Sequence, residues 1–215
     1  MQVAWDKFNN DVKPLVAGKK LLDLGCGNGS NILRFGGQGS LGVDYSKEAV
    51  AAAMKNGLRA VEGSATTFRS SEKFQVVTAF HLLEHMETKK EVAGVLKTAY
   101  EALEPGGLLI VKTPYAYDTG AWIVWDHVRV FTMESMRQWL ELSGFEIVDS
   151  YTFWHFPFDP FIVTHFGQIK LKRIKRDYVL KLLGTFNLVR DLVYVVRKPI
   201  GERKSSGAMP HYGHI

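Results

Sequence analysis

Cysteine and long apolar runs are both scarce in this sequence. Cys26 is the single cysteine among 215 residues, so no internal disulfide can form, and a reducing cytoplasm is the expected compartment. The longest apolar stretches are broken by proline or charged residues, so no transmembrane helix is expected. No basic-then-apolar leader precedes the first domain-like segment, and nothing in the sequence therefore indicates secretion.

The overall composition is that of an average soluble globular domain. Hydrophobic residues make up 46%, aromatic residues 12% and charged residues 23%, which excludes wholesale disorder, a collagen-like repeat and a disulfide scaffold. We expect a single domain over residues 1–200. The segment 201–215 is rich in glycine, serine and proline with few large apolar groups, which predicts a flexible tail.

Short apolar runs alternate with helix-forming stretches along the chain. Strands are predicted at residues 19–24, 40–44, 58–63, 74–80, 108–113, 145–153 and 192–197, and helices at 47–55, 87–103 and 133–142. This alternation predicts an α/β fold, with a mainly parallel sheet and helices on both faces, because right-handed crossovers leave few other topologies.

The loop after the first strand has the composition of a nucleotide site. Three glycines fall within five residues of the run DLGCGNGS at 23–30, and Asp44 ends the second strand, where a carboxylate can accept hydrogen bonds from ribose hydroxyls. Ser30 stands where a dinucleotide fingerprint would have its third glycine, and there is no Walker lysine. The spacing therefore predicts a site for a nucleoside without a pyrophosphate.

Four segments, LLDLGCGNGS, LGVDYS, FQVVTAFHLLEHM and LEPGGLLIVKTP, resemble the successive motifs of class I S-adenosylmethionine-dependent methyltransferases. The similarity runs from about residue 19 to about residue 148 and extends weakly to VYVVRKP. HLLEHM followed by HVRVFTMESMRQWLELSGFEIV is similar to the small-molecule branch that includes quinone-biosynthesis, sugar and natural-product O-methyltransferases. The resemblance implies a Rossmann-like sheet of seven strands whose last strand is antiparallel.

The resemblance also implies S-adenosyl-L-methionine as cofactor, with S-adenosyl-L-homocysteine as product, and a role for each motif residue. Asp23 would order the glycine loop or meet the amino group of the methionine moiety, Asp44 would hold the ribose, and Tyr45 would lie against the adenine. The methionine moiety would be lined by Gly25, Gly27 and Gly29, and its sulfonium would be bordered by Phe80, His81 and Leu82. Further predicted cofactor contacts are Cys26, Asn28, Ser46, Gly63, Ser64, Ala65 and His85.

A sulfonium methyl is already activated, so the protein mainly has to align acceptor and methyl and exclude water. An alkyl hydroxyl acceptor benefits from a general base, and the candidates for that base are His81, His85 and His127. We favour His127, beside Asp126, as base or substrate contact, although a structural hydrogen bond accounts for it equally well. Tyr115 and Tyr117 are predicted to face the substrate, with core packing as the alternative.

The run His81-Leu82-Leu83-Glu84-His85 also has the H-x-x-E-H spacing of inverted zinc peptidases. If the run is helical, its two histidines share one face, as a zinc site requires. The run directly follows the fourth strand of a nucleotide-type sheet, however, and no third ligand is evident downstream. We therefore predict no metal, and we expect Glu84 and His85 to orient the loop.

Residues 154–187 form the least generic segment, a predicted helical insertion between strands six and seven. Five aromatic residues precede a run of lysines and arginines, and residues 154–204 contain 11 basic and 4 acidic residues, whereas the whole chain has a net charge of +5. An insertion here predicts the acceptor pocket, or contact with an anionic membrane surface; a solvated basic helix is the simpler alternative. No RNA-binding module is recognisable, so nucleic acid is not favoured.

These features favour a methyltransferase that acts on an oxygen of a small or lipid-linked molecule. N-methylation is an alternative within the same class. A catalytically silent nucleoside-binding partner subunit is an alternative from another class, and the zinc peptidase is the most remote.

Overall fold

The computed structural model describes residues 12–118, 120–154 and 189–201, so the predicted insertion, apart from Trp154, and almost all of the predicted tail lie outside the described residues. Seven strands form one sheet in the order β3-β2-β1-β4-β5-β7-β6. The strands are β1 (Leu21–Leu24), β2 (Leu41–Asp44), β3 (Ala60–Glu62), β4 (Phe74–Phe80), β5 (Leu103–Pro114), β6 (Glu146–Trp154) and β7 (Val189–Arg197).

Helices connect these strands. The first, α1, is described over residues 12–16. The others are α2 (Ser30–Phe35), α3 (Lys47–Lys55), α4 (Lys89–Ala102), α5 (Gly120–Ile123) and α6 (Met133–Leu142), and one 3-10 turn covers Leu83–His85. No described helix is long and apolar enough to cross a bilayer.

The strand directions confirm the predicted sheet. Strands β3, β2, β1, β4 and β5 pair in parallel. Strand β7 lies between β5 and β6 and is antiparallel to both. Because parallel strands share one carboxyl edge, the loops after β1, β2, β4 and β5 meet there, and this edge is the place for a ligand.

Apolar side chains cover both faces of the sheet. On one face Leu22 and Leu24 pack in a core with residues of α4 and α6, such as Val95 and Leu140. On the other face Leu21 packs with residues of α1 and α2. All of these strand positions are buried. Helices therefore lie on both faces, as the alternation of elements predicts.

Strand β5 begins earlier than the sequence predicts. Pro105 and the glycines after it indicate a turn before a strand at residue 108, but β5 starts at Leu103, which pairs with Phe74. A register shift between Phe74 and Val76 accommodates the extra residues. The pairing partner, rather than local composition, decides where this strand starts.

Helix α4 begins with a capping box. The Thr88 hydroxyl accepts the Glu91 N–H at 3.2 Å, and the Glu91 carboxylate accepts the Thr88 N–H at 2.8 Å. We expect Thr88→Ala to lower the free energy of unfolding by about 1 kcal/mol, because the first turn loses an acceptor for an otherwise unpaired donor. Chemical denaturation measures the change. A Thr66→Ala variant, outside any helix, is the control, and an equal loss in both variants would contradict the capping argument.

Candidate active site

The glycine loop after β1 is held against the end of β2. The N–H groups of Gly25 and Cys26 both donate to the Val43 carbonyl, at 2.8 and 3.1 Å. Gly27 has a φ of +52°, and a Cβ placed on it would have no atom within 4 Å. The backbone here is left-handed and borders open space, so a ligand can approach the main chain closely.

Asp44 connects the end of β2 to this loop. Its Oδ2 accepts the Gly27 N–H at 2.8 Å, and its Oδ1 accepts the Ser46 N–H at 3.0 Å. Each carboxylate oxygen has a further lone pair, so the predicted bonds to ribose hydroxyls remain available in this geometry.

Asp23 is completely buried beneath the loop. Its carboxylate accepts hydrogen bonds from the Thr78 hydroxyl at 2.6 Å and from the Asn31 amide at 3.2 Å. Burial chiefly, and the nearby charge of Asp44 to a smaller extent, raise the pKa of Asp23 to about 7 against the lowering effect of the two hydrogen bonds. Of the two roles predicted for Asp23, these contacts support ordering of the loop. Neither Thr78 nor Asn31 was predicted from the sequence.

The residues predicted to lie around the adenine are mostly at the surface. Tyr45 is 82% exposed beside Asp44. Ser46 caps α3 by accepting the Ala49 N–H, so its hydroxyl already has a structural role. The Gly63 N–H donates to the Asp44 carbonyl, and the exposed Ser64 hydroxyl lies 2.8 Å from that of Thr66. Ala65 is half-buried against the core.

Two other loop residues have mainly structural partners. Asn28 accepts the Ser30 N–H through Oδ1, and its carbonyl accepts the Asn56 amide. Cys26 is buried, and burial, followed by the charges of Asp23 and Asp44, raises its thiol pKa to about 12. The thiol is therefore protonated at neutral pH and unsuited to nucleophilic attack.

The end of β4 touches the glycine loop directly. A Cβ placed on Gly25 would lie 3.0 Å from Leu82 Cδ1, so Leu82 packs closely on this glycine. Phe80 is buried, and His81 has a positive φ of 51°. Of these three residues, Leu82 is therefore the one that packs on the glycine loop.

Glu84 organises the turn after β4. Its carboxylate is 1% exposed and lies 3.0 Å from His81 Nδ1, while its other oxygen accepts the Thr113 hydroxyl at 3.1 Å. Its main-chain carbonyl accepts the N–H groups of Val128 and Arg129 from the loop after β5. Glu84 therefore orients both loops, and Thr113 was not foreseen.

The helical interpretation of H-x-x-E-H is wrong. Residues Leu83–His85 form one 3-10 turn rather than an α-helix, because the motif follows a strand without a capping residue. His81 contacts Glu84, whereas His85 Nδ1 donates to the Asp126 carbonyl at 3.0 Å. The two histidines have different partners and do not reproduce the peptidase arrangement.

His127 packs edge-on against His85, with ring centroids 5.2 Å apart. His127 Nδ1 donates to the Ala121 carbonyl at 3.1 Å, and the Asp126 carboxylate lies 3.5 Å from His85 Nδ1. The structure thus brings the predicted base to the same edge, although its neighbour in sequence pairs with His85.

The two predicted substrate tyrosines differ in burial. Tyr115 is only 1% exposed and belongs to the core, which favours the core-packing alternative for it; the chain remains sheet-like there and bridges to Phe131. Tyr117 is 37% exposed and stacks edge-on against Tyr115, which leaves its ring accessible.

Within the described residues, Glu84, His85 and His127 each offer one donor atom within 4.8 Å of the others. Such donors suit a divalent metal in general. Here both Glu84 oxygens already have partners in His81 and Thr113, and each imidazole Nδ1 is bonded to a carbonyl. We assign no metal to this group.

Comparisons with known proteins agree with this geometry. A family model described as a methyltransferase domain matches residues 2–150. The ubiquinone biosynthesis O-methyltransferase of Pseudomonas putida GB-1 is 31% identical over 121 residues, half of this chain and 51% of that protein. The enzyme of the same name from Bradyrhizobium sp. ORS 278 is 33% identical over 118 residues, covering 50% of this chain and 45% of its own length. The chain thus matches about half the length of these curated relatives.

Solved structures share the fold at lower identity. An S-adenosylmethionine-dependent methyltransferase from Mesorhizobium loti has a TM-score of 0.64 at 20% identity, over 91% of this chain and 98% of its own. The 4+2 cyclase SpnF has the same TM-score and identity, over 93% of this chain and 81% of its own.

The strand order, the antiparallel β7 and the glycine loop facing Asp44 define the class I S-adenosylmethionine-dependent methyltransferase fold. This chain belongs to the methyltransferase domain family. S-adenosylmethionine is the cofactor of the family. The residues present fit it, because the open backbone at Gly27 and the carboxylate of Asp44 face the same loop.

Proposed function

We propose that the chain transfers the methyl group of S-adenosylmethionine to a hydroxyl oxygen of a small or lipid-linked molecule. The observation that carries the proposal is the junction of two regions at one sheet edge. The glycine loop with Asp44 suits the cofactor, and Leu82 packs that loop directly against the turn that holds Glu84. When bound, the cofactor supplies a methyl group that is already activated. The names of the curated relatives support oxygen as the acceptor atom.

The protein then has to position the acceptor and exclude water. The buried Glu84 holds the loop after β5 through its carbonyl, and this loop brings His127 and the accessible Tyr117 toward the same edge. An acceptor bound there can use His127 as a hydrogen-bonding contact and Tyr117 as an aromatic surface.

Two other functions are compatible with the fold. N-methylation needs no base, because a neutral amine attacks unaided. A silent nucleoside-binding module would bind the cofactor without transfer, and the structural likeness to a protein named as a cyclase shows that the fold also occurs in proteins named for other chemistry. The histidine-rich turn favours O-methylation over both, because neither alternative uses a proton acceptor.

Calorimetric titration with S-adenosylmethionine and S-adenosylhomocysteine tests the cofactor assignment first. Methyl-labelled cofactor then tests transfer to phenol, 4-nitrophenol, a prenylated phenol and aniline. We expect binding of both nucleosides and label on the hydroxyl compounds. Label on aniline alone would favour N-methylation, and binding without any transfer would favour the silent module.

We also propose an anionic membrane surface as a partner, reached from the cytoplasm. The sequence of residues 154–187 suggests it, and the described residues add exposed apolar side chains on α5 and the loop after it. Tryptophan and aliphatic groups in such positions suit the interface of a bilayer. This surface patch comprises Trp122, Ile123, Val124, Trp125 and Val128.

Co-sedimentation with vesicles of anionic and neutral lipids, at low and high salt, tests this partner. We expect salt-sensitive binding to anionic vesicles. Ile123→Ser with Trp125→Ser should weaken it about 10-fold, because two apolar groups are lost from the contact. Ile200→Ser is the matched control, since Ile200 is 81% exposed and Ile123 is 82% exposed. Equal binding of both variants, or no vesicle binding by the wild type, would contradict the proposal.

A further inference from the structure

We propose that His81, oriented by Glu84 and Thr113, accepts the proton of the acceptor hydroxyl during methyl transfer. The inference rests on the proposed O-methylation and assigns the base role, which the sequence leaves open among three histidines, to His81 rather than to the favoured His127. It is carried by a chain of hydrogen bonds, an unusual backbone conformation and the packing of the next residue, Leu82, on the glycine loop.

The hydrogen bonds fix the imidazole. Thr113 donates to one oxygen of Glu84, and the other oxygen lies 3.0 Å from His81 Nδ1. An ionised carboxylate only accepts, so Nδ1 carries the proton and Nε2 has a free lone pair. An imidazole held by a carboxylate, which a third group orients in turn, is the arrangement that activates general bases.

Solvent exposure increases along this series of hydrogen-bonded residues. Thr113 is fully buried, the Glu84 side chain is 1% exposed and that of His81 is 43% exposed. The carboxylate is therefore shielded, while the imidazole reaches the surface of the site. A proton taken up by His81 can leave to solvent after each turnover.

The backbone of His81 supports the same interpretation. Among the described residues it is the single non-glycine with a positive φ, at 51°. Such a conformation costs energy for a residue with a side chain and persists where the surroundings impose it. Here the His81 N–H donates to the Lys112 carbonyl at 2.8 Å, and the next residue, Leu82, packs on Gly25. The strained turn thus places His81 directly before the residue that packs on the glycine loop.

The other two histidines near this site, His85 and His127, have main-chain carbonyls rather than a buried carboxylate as partners of Nδ1. His127 Nδ1 donates to the Ala121 carbonyl, and His85 Nδ1 to the Asp126 carbonyl. A carbonyl fixes a tautomer but does not offset the positive charge of a protonated ring. Asp126 lies 3.5 Å from His85, but its carboxylate is 44% exposed and therefore screened.

The proposed step balances in atoms and charge. The acceptor oxygen bonds to the methyl carbon while the carbon–sulfur bond breaks, and the sulfur keeps the electron pair of that bond. The hydroxyl proton passes to His81 Nε2, and the positive charge of the sulfonium is replaced by that of the imidazolium beside Glu84. Charged or titratable groups near this unit in the described part of the chain include Lys112, paired with Asp191 at 3.1 Å, the rings of His85 and His127, and Asp126 beside His85.

The first test is independent of activity. Nitrogen-15 NMR of the histidine-labelled full chain reports which ring nitrogen of His81 carries the proton. We expect the Nδ1–H tautomer of His81 in the wild type. In Glu84→Ala we expect no preference for that tautomer over the Nε2–H tautomer. A His81 ring with Nε2–H in the wild type would overturn the proposal. Because Glu84 is buried, Thr113→Val serves as the milder second variant, which weakens the same orientation.

The second test uses two acceptors. At pH 8 phenol keeps its proton, whereas 4-nitrophenol is mostly ionised and needs no base. His81→Gln should lower kcat with phenol about 100-fold, leave transfer to 4-nitrophenol within about 3-fold, and leave the Kd of S-adenosylmethionine within about 3-fold. The loss with phenol should shrink as pH rises. His127→Gln, the matched histidine variant, should instead raise KM.

The outcomes separate the proposal from the function on which it rests. A wild type that binds cofactor but methylates neither phenol contradicts the proposed function, and the base role fails with it. Transfer by the wild type with an unchanged phenol kcat in His81→Gln overturns the role of His81 alone. An equal loss with both phenols would assign His81 a structural role and would also overturn the proposal.

Discussion

Asp44→Ala is expected to weaken S-adenosylmethionine binding by about 100-fold or more. Hydrogen bonds from a neutral group to a charged one contribute about 1.5–3 kcal/mol each, so two ribose hydroxyls correspond to at least about 3 kcal/mol. The variant also removes the acceptor of the Gly27 N–H, at 2.8 Å, and so loosens the glycine loop. Calorimetric titration of the variant and the wild type measures the effect.

Asp149→Ala provides the control for this prediction. Asp149 is an exposed aspartate on β6, at the far side of the sheet from β2, and its carboxylate accepts only a neighbouring main-chain N–H among the described bonds. Its replacement should leave cofactor affinity unchanged. If Asp44→Ala binds the cofactor as tightly as the control does, Asp44 is not the ribose ligand.

Asp23→Asn is expected to remove a large pH dependence of stability. The pKa of Asp23 is about 7 in the folded protein, whereas an aspartate free of neighbours has a pKa of 3.8. Between these values the unfolded chain has lost the proton that the folded chain retains, so wild-type stability falls as pH rises from about 4 to about 7. Three pKa units correspond to about 4 kcal/mol at most, and asparagine is neutral throughout.

Urea unfolding of both proteins without cofactor, at pH 5 and pH 8, measures this effect. The free energy of unfolding of Asp23→Asn relative to wild type should be higher at pH 8 than at pH 5, by an amount on the order of 2–3 kcal/mol. Comparing the two pH values cancels changes in packing and hydrogen bonding to Thr78. Parallel behaviour of the two proteins would show that Asp23 titrates near its usual range.

The local sequence predicted the bounds of those elements that begin or end at a residue with a known capping or terminating role. Strand β4 and helix α6 have the predicted bounds, because Thr132 caps α6 and Gly144 follows its end. The predicted start of β5 was wrong, because the pairing of Leu103 with Phe74 is a property of the sheet rather than of the local sequence. Propensity thus fails where a distant partner decides.

The same distinction holds for the site. The glycine loop and Asp44 were predictable, since a short motif and one strand end specify them. The bonds of Thr78 to Asp23 and of Thr113 to Glu84 join residues 55 and 29 positions apart, and no spacing rule brings them together. The burial of Tyr115 was not predictable, because the sheet continues past the apolar run, into a bridge with Phe131 that its sequence neighbours do not reveal.

The antiparallel β7 has a consequence for how the protein can diversify. Because β6 runs with the parallel strands and β7 runs against them, Trp154 and Val189 are paired neighbours at the carboxyl edge. Whatever joins these two residues starts and finishes on the side where the glycine loop lies. None of the 34 intervening residues takes part in a described strand pairing. The strands with their glycine loop and the stretch that joins β6 to β7 are therefore separable in sequence, and one can change by recombination while the other is inherited intact.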